Sequence, residues 1–106
     1  MHDKRIIATW EQTPGSPYPG LRFTFEEGGK FHAEYEPMSI HSGGTWSIED
    51  DKMDMDQTEH TFGLVGKFFG RYEIDGNLLK MNLVSGEDKP RPENLDGAVV
   101  YMRVEE

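Results

Sequence analysis

Two thirteen-residue stretches, GTWSIEDDKMDMD at 44–56 and GRYEIDGNLLKMN at 70–82, repeat one pattern 26 positions apart. Gly44 corresponds to Gly70, Trp46 to Tyr72, Ile48 to Ile74, and Met53 and Met55 to Leu79 and Met81. In each copy the large apolar residues fall on every second position, on both sides of an acidic or Asp-Gly turn. A period of two puts them on one face of a strand and the turn reverses the chain, so each copy reads as a β-hairpin with one buried face. The glycine heading each inward row suits the close approach or bend that a curved sheet demands.

The same alternation runs through the rest of the chain, and helical periodicity is nearly absent. In LRFTFE, Leu21, Phe23 and Phe25 oppose Arg22, Thr24 and Glu26; in KFHAEYE, Phe31, Ala33 and Tyr35 oppose His32, Glu34 and Glu36. The pattern predicts eight strands, near 5–13, 20–26, 30–36, 43–49, 52–57, 66–74, 77–84 and 97–104. The connections at 27–29, 50–51 and 75–77 are tight, and those at 13–19, 37–42, 58–65 and 85–96 are longer. Short and long connections alternate. In an up-and-down antiparallel order this gathers the hairpins at one end and all the long loops at the other. The expected fold is therefore all-β, an eight-stranded up-and-down antiparallel β-barrel in a single domain over 1–106. The last strand, AVVYMRV, is apolar on both faces over its first half, so its pattern leaves open whether the sheet closes.

A net charge of −9 excludes the usual nucleic-acid partner, since phosphate binding needs clustered Lys and Arg and here they are scattered among carboxylates. An anionic membrane surface is disfavoured on the same ground, and no apolar run approaches the ~20 residues of a spanning helix. With no cysteine there is neither a disulfide framework nor a thiolate metal site. The start, MHDKRIIATW, has too short an apolar stretch for a signal-peptide core, which makes a cytoplasmic location the default, and a secreted or periplasmic one if a signal has been removed.

Thr9-Trp10 on the first strand resembles the lipocalin G-x-W signature, with Ala8 standing where lipocalins carry glycine. Gly70-Arg71-Tyr72-Glu73-Ile74-Asp75-Gly76-Asn77-Leu78-Leu79-Lys80 resembles the strand pair G-x-Y-x-I-x-G-D-x-L-K of small bacterial lipocalin-like (calycin) domains of uncharacterised function, including one frequent in planctomycetes. Arg91-Pro92 is similar to their R-P loop and Arg103 to their closing basic residue. The resemblance implies a barrel and, with no length left for a following helix, a stripped one. Trp10 and Arg103 are expected to stack and tie the first strand to the last, worth ~0.5–2 kcal/mol.

Candidate chemistry is sparse. His41 and His60 fall in or near two of the long connections, so they could meet above the open end as a metal pair, an acid–base pair or a haem ligand, but their spacing matches no metal motif. His32 alternates onto the wet face. Asp54, Asp56 and Thr58 mimic the opening of an EF-hand loop, yet Glu59 stands where that loop needs glycine, and a solvated strand face is the better account. No catalytic residue, metal site or cofactor is assigned. What remains is a container: aromatic and Met side chains inside a barrel just wide enough to be filled or to hold one small guest. The expected function is binding of a small hydrophobic ligand. Its contacts are taken to be Tyr35, Trp46, Phe68, Tyr72, Phe23, Met53 and Met81, with His41, His60, Tyr18 and Arg91 near the mouth and Met38, Ile40, Phe62, Leu64 and Val65 as an apolar rim. A barrel enzyme of isomerase or cyclase type using the same cavity, and a solid-core interaction module, stand as alternatives. The chain is expected to be a monomer or weak homodimer.

Overall fold

A computed structural model describes residues 4–63, 65–86 and 90–104. Eight antiparallel strands, β1 (Thr9–Gln12), β2 (Arg22–Phe25), β3 (Lys30–Tyr35), β4 (Ile40–Glu49), β5 (Lys52–His60), β6 (Gly66–Asp75), β7 (Leu78–Ser85) and β8 (Val99–Val104), pair in sequence order and close on themselves. Closure comes from β1 and β8, in register from Thr9↔Val104 to Gln12↔Tyr101. The up-and-down barrel expected from the alternation is the observed fold, and the uncertain eighth strand completes it.

The sequence repeat survives as geometry. Trp46 pairs with Met55 and Ile48 with Met53 across β4–β5; Tyr72 pairs with Met81 and Ile74 with Leu79 across β6–β7. A Cβ on Gly44 would stand 1.8 Å from the Asp56 carbonyl oxygen, and one on Gly70 would stand 2.0 Å from that of Asn82. Asp56 and Asn82 are themselves equivalent positions, so one close backbone approach is built twice. The turns match too: Asp50 (φ 57°) and Gly76 (φ 59°) hold equivalent left-handed positions, which Gly adopts freely and Asp tolerates.

The hairpin end is solidly packed. Ile6, Trp10, Phe25, Phe31, Trp46, Ile48, Met53 and Leu79 belong to one buried cluster with Met55, Tyr72, Met81 and Tyr101. The Trp46 indole N–H reaches the carbonyls of Glu26 and Lys30, at 3.1 and 3.0 Å, which ties β4 to the β2–β3 turn. Two expectations change here. The first strand begins at Thr9 rather than near residue 5, because Lys4–Ile6 turn as a 3₁₀ helix and bury Ile6. The stacked Trp10–Arg103 pair is replaced by a different contact: the Trp10 indole N–H donates to the Ile6 carbonyl at 2.9 Å, while Arg103, opposite Trp10 in register, is exposed.

The β7–β8 connection folds back over the outer wall. The Arg91 guanidinium donates to the carbonyls of Met53 (3.2 Å) and Gly70 (2.8 Å), pairs with Asp54 and lies over the Phe69 ring. Arg71 Nε donates to the Pro92 carbonyl at 2.7 Å, and the Asn82 amide to those of Asn94 and Asp96 at 3.0 and 3.1 Å. Arg91 is thus a strap on the outside, not the mouth residue expected from sequence. Asp54, expected to be merely solvated, is its partner.

Candidate functional site

The long-loop end is built differently from the hairpin end, and the difference starts in β4 and β5. Both strands run farther than the alternation predicts: β4 begins at Ile40 and β5 continues to His60, leaving only Glu36–Ser39 and 61–65 as connections. Register changes between Gly43 and Gly44, which face Glu59 and Gln57 respectively. Thr58 is therefore an extra residue, and a bulge of this kind reverses which residues point inward. Unbroken alternation would send Glu59 in after Met53, Met55 and Gln57. With the bulge, Glu59 is exposed and His60 pairs with Ser42, which shares the face of buried Ala33.

Around this reversal lies a recess of about 360 Å³ in the mouth, walled chiefly by Leu21, Phe23, Tyr35, Ile40 and Phe62. Among the described residues Ser42, Gln57 and His60 are its polar residues apart from the tyrosine hydroxyls, and no Asp, Glu, Lys or Arg lines it. Tyr18, Met38 and Phe62, which also border it, are 57%, 56% and 61% exposed, although their side chains are large and hydrophobic. Apolar surface left in water around a concavity is the usual mark of a binding rim.

Several wall residues are positioned by local devices. Tyr35 and Ile40 pair across the β3–β4 corner, where Pro37 enters the 3₁₀ turn Glu36–Met38 and Ser39 leaves it with φ 52°. Gln12, 4% exposed, spends its amide in both directions: Nε2 donates to the Tyr101 hydroxyl at 3.0 Å and Oε1 accepts from the Tyr18 backbone N–H at 2.9 Å. That holds the 13–20 connection down and sets the Tyr18 ring edge-on to Tyr35, with centroids 6.0 Å apart. Burial pushes the Tyr101 phenol up to about 12, and its bond with Gln12 works in the opposite direction. On the far side the Phe62 backbone N–H donates to His60 Nδ1 at 3.0 Å, which orients the ring beside the Phe62 ring.

Of the residues expected to contact a ligand, Phe23, Tyr35 and His60 line the recess. Trp46, Met53, Tyr72 and Met81 do not: at 3%, 0%, 5% and 2% exposure they are packed core below it. Phe68 is half-buried against that core and lies outside the recess lining. His41 leaves the mouth altogether. It faces Glu34 on the outer wall and borders a polar groove with His32, Glu34 and Glu59. His60 also touches that groove, but of these three histidines it alone lines the recess. The groove is open and charged, and His32 is held there by Glu26 at 2.7 Å. Among the described residues no cluster of three or more His, Asp or Glu could hold a metal ion. Within the apolar rim, Val65 is exposed and Leu64 lies outside the described residues. Leu21, Ala33, Ser42 and Gln57 also line the recess without having been expected there; Ser42 and Gln57 simply continue the inward rows of β4 and β5, and the bulge accounts for His60.

Comparison of the chain with protein-family models, curated proteins and solved structures finds no match.

Proposed function

We propose that this chain is a lipocalin-like binding protein that takes one small apolar or amphipathic molecule at the long-loop end of its barrel, in the mouth recess and not deep in the interior. The observation that carries the reading is the contrast between the two ends. The hairpin end is sealed by buried Ile6, Trp10 and Trp46, while the other leaves Tyr18, Met38 and Phe62 in water around a concavity with no charged side chain among the described residues. Burying ~200 Å² of a guest there contributes about 5 kcal/mol before the cost of association, which makes micromolar affinity a reasonable outcome. Of the two histidines that the enzyme alternative pairs, only His60 lines the recess; the polar groove that both of them border is a separate concavity.

The test is native mass spectrometry of the purified protein beside a denaturing spectrum, followed by titration with the neutral fluorophore N-phenyl-1-naphthylamine. Saturable fluorescence enhancement that Ile40→Glu abolishes without loss of the folded circular-dichroism spectrum supports the reading. A bare chain mass together with no saturable enhancement favours a solid-core module instead.

A further inference from the structure

Among the described residues the recess wall is largely apolar and carries no charge, so its polar groups, on Ser42, Gln57, His60 and the two tyrosines, decide what it accepts. His60 is the informative one. Its Nδ1 accepts the Phe62 backbone N–H at 3.0 Å, which assigns the ring proton of the neutral imidazole to Nε2. Among the described residues Nε2–H has no protein partner. A donor beside an apolar recess, left without a partner when a guest displaces water, is costly unless the guest supplies an acceptor. The Thr58 bulge is what brings His60 to this wall, and bulges recur where a strand must re-aim one side chain.

The remaining chemistry is set by what is missing from the lining. Among the described residues no lysine or arginine lines the recess to receive a carboxylate, and the chain carries a net charge of −9, which opposes the approach of anions. The volume, about 360 Å³, lies at the small end of the ~300–1,000 Å³ range of ligand sites. Phe23, Tyr35 and Phe62 offer ring faces and edges to a flat guest.

Resting on the binding function proposed above, we infer that the recess selects neutral molecules of one or two rings carrying a hydrogen-bond acceptor (a ketone, aldehyde, ester or ether oxygen), which takes its bond from His60 Nε2–H. Carboxylate amphiphiles such as fatty acids are disfavoured.

Three shape-matched probes separate the terms: 2-acetylnaphthalene, 2-ethylnaphthalene and 2-naphthoate, each titrated by calorimetry into the wild type, His60→Phe and His60→Gln. The acetyl compound is expected to bind roughly tenfold more tightly than the ethyl compound, with naphthoate weakest. His60→Phe brings the acetyl compound down to the ethyl level and leaves ethyl binding in place, which also shows that the variant is folded. His60→Gln, which keeps an amide donor, retains part of the preference. Equal binding of the acetyl and ethyl compounds by the wild type overturns the inference, as does tightest binding of naphthoate or an equal loss of both neutral probes in His60→Phe. In all three cases the binding function stands. If none of the probes binds the wild type, the binding function fails and the inference with it.

Discussion

Adding one methyl group to Gly44 or Gly70 tests whether the repeated hairpin is a structural necessity. The new Cβ would lie 1.8 Å from the Asp56 carbonyl oxygen in Gly44→Ala and 2.0 Å from the Asn82 carbonyl oxygen in Gly70→Ala. Real contacts of this kind essentially never fall below 3.0 Å, so the paired strand must retreat by about 1.2 Å in the first case and about 1.0 Å in the second. The obstacle is a ladder carbonyl rather than a side-chain tip, so no rotamer change relieves it. Overpacking commonly costs about 1–3 kcal/mol, and a backbone clash belongs at the upper end, near ~3 kcal/mol. Against a total stability of roughly 5–15 kcal/mol that is a large fraction. With a urea slope of about 1–3 kcal/mol per molar, the unfolding midpoint falls by roughly 1–3 M. Gly70→Ala also displaces the carbonyl that accepts from Arg91 at 2.8 Å, so its loss is at least as large. Gly28→Ala, where nothing lies within 4 Å of the added carbon, is the control and stays within ~1 kcal/mol of wild type. Urea melts followed by tryptophan fluorescence are sufficient. A Gly44→Ala midpoint equal to that of Gly28→Ala would refute the close-approach argument.

Trp46→Ala removes a fully packed indole and two hydrogen bonds to the β2–β3 turn, and should lower stability by about 3–5 kcal/mol in the same melts, an effect on folding and not on the recess. Arg91→Met should loosen the β7–β8 strap for about 1–3 kcal/mol, read as faster proteolysis within 86–98 at unchanged barrel circular dichroism. Tyr101 should give a late step in an ultraviolet phenol titration, near pH 12, which Tyr101→Phe abolishes. Because burial raises this group above its ordinary value near 10, its stabilising contribution is complete below about pH 10 and is lost as pH rises through about 12. The loss amounts to roughly 2–3 kcal/mol over that window.

The fold was largely legible in the sequence, because it is written in the one signal that survives without neighbours: apolar residues at every second position, broken by turns with a left-handed residue. The repeat of 44–56 in 70–82 was legible for the same reason, and its glycines turned out to mark real close approaches. The site was much less legible. Alternation identified the inward residues correctly but could not say which of them have space beside them, so Trp46, Met53, Tyr72 and Met81 were indistinguishable from Phe23 and Tyr35. Depth along the barrel depends on which end is plugged, and Ile6 folding under Trp10 is a tertiary event. The mouth failed for a second reason. Apolar patterning lapses at His41, Ser42 and His60, so these strand residues look like loop in the sequence, and one inserted residue at Thr58 reverses the sense of everything beyond it. Arg91 shows the same blindness to three-dimensional return: a charged loop residue with no periodic context gives no sign that it doubles back onto Asp54 and Phe69.

The central claim is that this barrel is filled below and receptive at its mouth, and its methionines report both halves in one spectrum. Met53, Met55 and Met81 are 0%, 4% and 2% exposed in the core, Met38 borders the recess, and Met102 lies exposed on the outer wall. Methyl-labelled methionine resonances recorded during titration with 2-acetylnaphthalene should show Met38 moving in a saturable way while Met53, Met55, Met81 and Met102 hold still. Movement of the core methyl groups with Met38 unmoved would place the guest inside the barrel and contradict the account.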